Sequence, residues 1–447
     1  MKKRLSKILA LLLVLTLVLT ACGGKNNAEP NETDEPNGNG DSVEGLKGEI
    51  SVQAEEAWIP YFEAAIDRVK ENNPDVTINI IEKGSFDHLD IIDSTDATNP
   101  DVADVFPIPA DRLYSLANSD VLASIDSKKL AEEIGGWDDF DGGLGGNLAI
   151  DGDYLAFPWN IETLIVFANT ANAESEGIAL DKPIDINTIE DPNHVLLPFF
   201  DAWYGVSLTN AGKIELLDFD EEGNLYSDLT KEYSELEDSQ KAIIDGIYDY
   251  WKKHNENGSV LFDEEAGWGY IDDQFTTGNA GVFRLGGPWD ASAMNEQAGE
   301  GNLKVYPIEQ ITIGEYPLNH WKGGWGLAIN SRIEEDEDKM AIAYELIKEL
   351  VNPEYAEDLY TYTGKILENV SRDTYEKSGL SDTDKAIVLA VIDSYEKAPL
   401  RPLFNEYGKV WDTWKNAILS WNNVKPETAE DAYKEIKASF DTMMTNF

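Results

Sequence analysis

The chain has 447 residues, with 35 basic and 85 acidic side chains and a formal net charge of −50. Such a surface repels nucleic acid and anionic lipid, and its acids read as a solvated, aggregation-resistant exterior. One cysteine rules out an internal disulfide, and four histidines far apart (His88, His194, His254, His320) lack metal-ligand spacing.

In chain order, Lys2, Lys3, Arg4 and Lys7 precede an apolar stretch from Ile8 to Leu19 that only Thr16 interrupts. This is the layout of a secretory signal, with an apolar region too short for a comfortable membrane span. Leu19-Thr20-Ala21-Cys22 resembles the bacterial lipobox, so residues 1–21 are expected to be removed and Cys22 acylated. A multiply acylated cysteine is a firm anchor, which places the protein on the outer face of the cytoplasmic membrane. Loss of residues 1–21 takes away four basic and no acidic side chains, moving the net charge from −50 to −54. Residues 22–45 are almost free of apolar side chains and read as a disordered tether with a reach on the order of 25 to 30 Å.

About 400 residues follow the tether, enough for two domains by the usual limit on one core. Glu49–Ala54 reads as a strand, and Trp58, Phe62, Ile66 and Val69 mark a helix that Asn72-Asn73-Pro74 ends. Val76–Ile81 is β-branched and Val102–Phe106 reads as another strand, with a helix beginning near Asp111. Strand, helix, strand in this order predicts a parallel α/β layer. Ile161–Ala168 reads as one long extended crossover, and Gly323–Asn330 as a second. Ser239–His254 is an amphipathic helix, and four more are expected at Asp338–Val351, Ser381–Ser394, Lys409–Trp421 and Glu427–Phe440. Two crossovers imply discontinuous lobes: residues 46–160 with 325–380, and 161–324 with 381–447.

Several runs carry a resemblance. They are the opening strand and helix ending in Asn73-Pro74, Asn99-Pro100-Asp101-Val102-Ala103-Asp104-Val105, and Ala110-Asp111-Arg112-Leu113. Phe157-Pro158 before Glu162-Thr163-Leu164, Phe275–Gly281 before Gly287-Pro288-Trp289, and the glycine-rich run before Ala328-Ile329-Asn330 complete the series. In this order they resemble the extracellular solute-binding proteins of carbohydrate ABC importers, with maltose and maltodextrin binders the nearest members suggested. The resemblance implies a two-lobed α/β fold of the type II periplasmic-binding-protein kind, hinged about a cleft that closes on a sugar. It also implies a monomer that delivers its ligand to membrane permease subunits, with no cofactor, no metal and no bond chemistry.

Sugars present a C–H face and a fringe of hydroxyls, so a cleft needs flat aromatics and fixed polar groups. The resemblance gives Trp289 the part of a stacking ring, and Asp111 and Arg112 that of a hydroxyl-binding pair. Glu162 matches a hinge glutamate that reaches the ligand, and Trp411 a further stacking tryptophan. Lys415 stands where an arginine is usual, and Phe199 where maltose binders tend to have tyrosine. Glu55 and Glu56 follow the first strand, where ligands usually meet an open α/β sheet; maltodextrin binders often carry an acid and then a lysine there. Trp203 and Trp325 are further aromatic candidates, as are Tyr204 and Trp321.

The chain has no G-x-S-x-G elbow, phosphate loop or dinucleotide fingerprint. Asp218–Gly223 imitates the start of a calcium loop, but Leu229 occupies the twelfth position, so a turn between strands is expected. Two alternatives stand beside the binding protein. A secreted glycoside hydrolase would place two carboxylates about 5 to 10 Å apart across a scissile bond, and a surface adhesin lipoprotein would lack a ligand-gated cleft.

Overall fold

The computed structural model describes residues 45–447; the secretory signal, Cys22 and the tether through residue 44 lie outside the described residues. Two sheets organise the chain. The first has five strands in the order Asp75–Glu82, Lys47–Ala54, Val105–Pro109, Gly323–Ile329, Phe157–Glu162. Lys47–Ala54 runs parallel to Asp75–Glu82 over its whole length and parallel to Val105–Pro109, whereas Gly323–Ile329 is antiparallel to both of its neighbours. Val76 and Ile78 are buried while Thr77 and Asn79 are exposed, as an edge strand with one covered face requires. Helix Ile59–Asn72 covers that face with Tyr61, Phe62, Ala65, Ile66 and Val69.

The third strand begins three residues later than its apolar run. Val102 and Ala103 are buried, but they lie in a turn in which the Val102 N–H donates to the Asn99 carbonyl. The strand proper runs through Pro107 and Pro109. Only Val105 pairs with Lys47–Ala54, so beyond it that edge asks for no donor and two prolines are tolerated.

The second sheet has four strands in the order Leu303–Pro307, Ile165–Asn169, Phe283–Gly286, Val195–Leu196. The expected single extended segment over 161–168 is therefore two strands in two sheets, with Thr163 and Leu164 carrying the chain across. The Gly323–Ile329 strand, with the Ile161↔Ile366 and Lys322↔Leu400 bridges beside it, brings later segments back to the same boundary.

The C-terminal helices are Glu337–Leu350, Asp382–Lys397, Gly408–Val424 and Ala429–Met444. Three begin where a short polar side chain accepts an otherwise orphaned N–H: Asp336 from Lys339, Ser381 from Asp384 and Thr428 from Asp431. Each such cap stabilises its helix by about 1 kcal/mol. Asp218–Phe219 and Leu225–Tyr226 form a hairpin, and the Asp220 carboxylate at its turn accepts from the Glu222 and Asn224 N–H groups. None of the described helices is long and apolar enough to cross a membrane.

Candidate functional site

Strand Phe157–Glu162 separates two cavities, because successive residues of a strand face opposite ways. Ile161 looks into one of about 550 Å³, where Glu368 accepts from Leu144 N–H at 2.8 Å, Trp137 Nε1 at 3.1 Å and the Tyr395 hydroxyl at 3.2 Å. Those bonds tie neighbouring segments together and leave the carboxylate spent. Glu162 looks into the other, of about 530 Å³, which has both sheets' loops on its walls and several aromatic rings open to it.

The aromatic surfaces of this second cavity come from both sides. Trp289 follows strand Phe283–Gly286 in a short 3-10 turn and is 50% exposed. Its indole folds back over Gly287, where a Cβ would lie 2.2 Å from the ring, so any side chain there would push the ring out of this position. Trp203, in the first turn of helix Ala202–Ala211, lies 6.4 Å from Trp289 between ring centroids. His320 packs edge-on against the Trp203 indole at 4.4 Å between ring centroids, and its Nε2 donates to the Trp203 carbonyl at 2.9 Å. Burial lowers the His320 pKa to about 3, so the ring is neutral, and because a carbonyl can only accept, its one proton sits on Nε2. Across the cavity Phe86, 63% exposed, meets Trp325 edge to face at 5.5 Å. Open rings gathered about one cavity, rather than scattered singly, mark a binding surface.

The polar groups follow the C-terminal ends of strands, where an open α/β sheet presents its ligand sites. Glu55 follows Lys47–Ala54, Asp111 and Arg112 form the 3-10 turn after Val105–Pro109, and Glu162 ends its strand. Glu55 accepts from the Ser85 N–H at 3.1 Å, and Glu162 from Trp325 Nε1 at 3.1 Å. Arg112 pairs with Asp93 at 2.5 Å. Arg401 pairs with Asp111 at 2.8 Å while its guanidinium lies over the rings of Trp203, Trp321 and Trp411. Because Trp203 and Trp411 belong to helices of the second sheet's side, this ion pair spans the cavity. Lys365 sits beside Trp58, Trp159 and Trp325, facing the Glu162 and Glu55 carboxylates. Burial raises the Glu162 carboxyl and lowers the Lys365 ammonium, and the attraction between them opposes both shifts.

Of the residues singled out in the sequence, Glu55, Asp111, Arg112, Glu162, Trp203, Trp289 and Trp325 line this one cavity. Glu56 is exposed and off its wall. Phe199 is fully buried against Phe262 and Tyr250, with its carbonyl accepting from Trp414 Nε1. Trp411 stands one layer back, behind Arg401, and Lys415 pairs with Glu264 and Asp412 on the outer face of its helix. Phe86, Lys365 and Arg401 line the cavity without having been singled out. Phe86 follows a parallel strand's C-terminal end, a signal the sequence did hold; the two cations come from loops after helices and carry none.

The fold has many relatives among solved structures. The maltose-binding periplasmic protein of Listeria monocytogenes, solved with maltose, is 20% identical with a TM-score of 0.69, covering 89% of this chain and 98% of that one. The MalX protein of Streptococcus pneumoniae, solved with maltopentaose, is 18% identical with a TM-score of 0.64, covering 88% of this chain and 99% of that one. An extracellular solute-binding protein of Staphylococcus aureus, solved with maltose, is 16% identical with a TM-score of 0.61, covering 93% and 98%. No curated protein sequence matches. The model of the bacterial extracellular solute-binding protein family matches residues 64–371, more than half of the chain, taking in all four strands of the second sheet and every strand of the first except Lys47–Ala54. With the two-sheet fold and its intervening cavity, this match makes the chain a member of the bacterial extracellular solute-binding protein family.

Proposed function

We propose that this protein captures a neutral sugar or short oligosaccharide, maltose or a maltodextrin foremost, and passes it to the permease of an ATP-driven importer. The observation that carries this reading is the pairing, in one cavity, of two half-open rings, Trp289 and Phe86, with carboxylates and cations that neutralise one another. Rings of this kind take the C–H face of a pyranose, and the polar groups take its hydroxyls. The maltose and maltopentaose held by proteins of the same fold support the ligand class. Binding is reversible and leaves the sugar intact, closure of the two lobes about the strands at Glu162 and Gly323 presents the loaded form to the permease, and the protein works as a monomer. Acylation at Cys22 holds it at the membrane, with residues 22–45 as the leash.

The test is calorimetric titration of the protein from Leu46 onward with maltose, maltotriose, cyclodextrins, trehalose and non-glucose sugars, with the ligand recovered and chromatographed afterwards. Saturable binding at micromolar or lower concentration, with the sugar recovered whole, is the expected result. Shortened products would replace the binding protein with a hydrolase, and a flat titration across the panel removes the ligand class.

A further inference from the structure

Three cations line the cavity, and two are already committed. Arg112 is held by Asp93 and Arg401 by Asp111. Lys365 differs: among the described residues its ammonium has no hydrogen-bond acceptor and no carboxylate in ion-pair contact, only the three indoles around it. The nearest ring is that of Trp325, 4.6 Å from Nζ to the centroid. Indole faces attract a cation electrostatically but use none of its N–H groups, so the three donors of a residue that lines the cavity are left unused.

The backbone beneath this side chain is held firmly. Helix Ala356–Thr363 stops at Gly364, whose φ of 68° is the left-handed conformation that glycine adopts freely. The Thr363 hydroxyl donates to the Leu359 carbonyl and accepts the Lys365 N–H at 3.1 Å. One residue on, the Ile366 carbonyl accepts from Ile161 N–H at 2.9 Å, clamping the segment to the strand that ends in Glu162. A lysine normally loses about 2 kcal/mol of rotamer freedom when fixed; here packing against indoles has fixed it in advance, so little is left to lose when an acceptor arrives.

We propose that Lys365 is a specificity-determining donor of the sugar site, its ammonium and a neighbouring carboxylate of Glu162 or Glu55 together gripping two adjacent hydroxyls of a neutral ring. This rests on the proposed sugar-binding function. A hydroxyl both donates and accepts, so a vicinal diol is the group that satisfies an ammonium and a carboxylate side by side. An anionic ligand fits less well, since the two acids facing Lys365 outnumber it.

The experiment compares wild type with Lys365→Met, which keeps the apolar stem in the indole box and removes the charge. Each is titrated with maltose and with its monodeoxy derivatives. Loss of a hydrogen bond to a charged donor predicts a fall in maltose affinity of about 10- to 100-fold. The derivative lacking the gripped hydroxyl is expected to bind both proteins equally. Equal maltose affinity within twofold overturns the proposal, and so does a Lys365→Met loss that is the same for every derivative. Should the variant melt well below wild type, the ¹³Cε resonance of Lys365 in the intact protein, assigned by its absence in Lys365→Arg, decides instead. A shift on saturation with maltose supports the contact and an unmoved resonance refutes it. If wild type binds no sugar of the panel, the sugar reading falls together with this one, whereas wild-type binding with an unaffected variant removes only the role of Lys365.

Discussion

Replacing Trp289 by alanine separates binding from stability, because the ring is half exposed and little of the core leans on it. An indole buries about 150 to 250 Å² when fully covered. At 50% exposure, about 100 Å² is left for a ligand. A sugar ring stacked on one face covers between half and all of that area, contributing about 1.2 to 2.5 kcal/mol at ~25 cal/mol per Å². The expected loss of affinity is therefore about 8- to 60-fold. Stability should hardly move, since among the described residues its only ring partner is Trp203 at 6.4 Å. Trp414→Ala supplies the opposite case: its indole is fully buried and donates to the Phe199 carbonyl at 2.7 Å, so truncation should cost about 3 to 5 kcal/mol of stability. Calorimetry is the right assay, because removing a tryptophan also alters the fluorescence signal. Trp289→Ala binding within twofold of wild type would refute the stacking argument outright.

Asp111→Asn leaves the Arg401 guanidinium without its counter-charge. Because Asp111 is 40% exposed, the expected loss is about 1 to 2 kcal/mol rather than the 3 to 5 of a fully buried pair. Denaturant unfolding reads that loss, and an unchanged midpoint sinks the claim. His254 is fully buried with its pKa lowered to about 3, so between pH 6.5 and 3 the unfolded chain takes up a proton that the folded one refuses. Stability at this group therefore falls as pH falls, by up to about 1.4 kcal/mol per unit. His254→Gln should flatten the pH dependence of the urea midpoint by that slope, and parallel curves for the two proteins would disprove it. A neutral ligand in a charge-balanced cavity predicts an affinity that changes less than about twofold between 20 mM and 500 mM salt. A tenfold change, read by the same titration, would mean that the ligand carries charge.

The regular elements were legible because their residues obey local periodicities. Ile243, Ile244, Ile247, Tyr250 and Trp251 repeat with a helix, and helix Asp238–Glu256 buries them all. The strand expected at Val102–Phe106 starts later because apolar side chains fill a buried turn as well as a strand. The site was legible where it follows the strands, at Glu55, Asp111 and Glu162. It was not legible where it depends on loops that approach only after folding. Lys365 and Arg401 lie 203 and 290 positions along the chain from Glu162 and Asp111, the acids they face. Phe199 shows the converse: the polypeptide reaches the position where an aromatic contact was expected, but its ring turns into the core against Phe262.

The balance of charge in the cavity is the feature that composition concealed. A chain with 85 acids and 35 bases places on one wall system three acids, Glu55, Asp111 and Glu162, and three bases, Arg112, Lys365 and Arg401. Bases are therefore denser there than across the chain, which solubility alone does not call for. Each base also lies against aromatic rings or an acid, so none is free to act as a general attractor for anions. The surrounding negative surface discourages anionic ligands from approaching, and inside the cavity acids and bases are equal in number, with Arg401 and Asp111 in direct contact. What remains for discrimination is directional: ring faces that accept C–H groups and fixed donors and acceptors that count hydroxyls. On the proposed sugar-binding function, such a site would distinguish its ligands by the position of hydroxyl groups, since a missing hydroxyl leaves a fixed donor or acceptor unmatched.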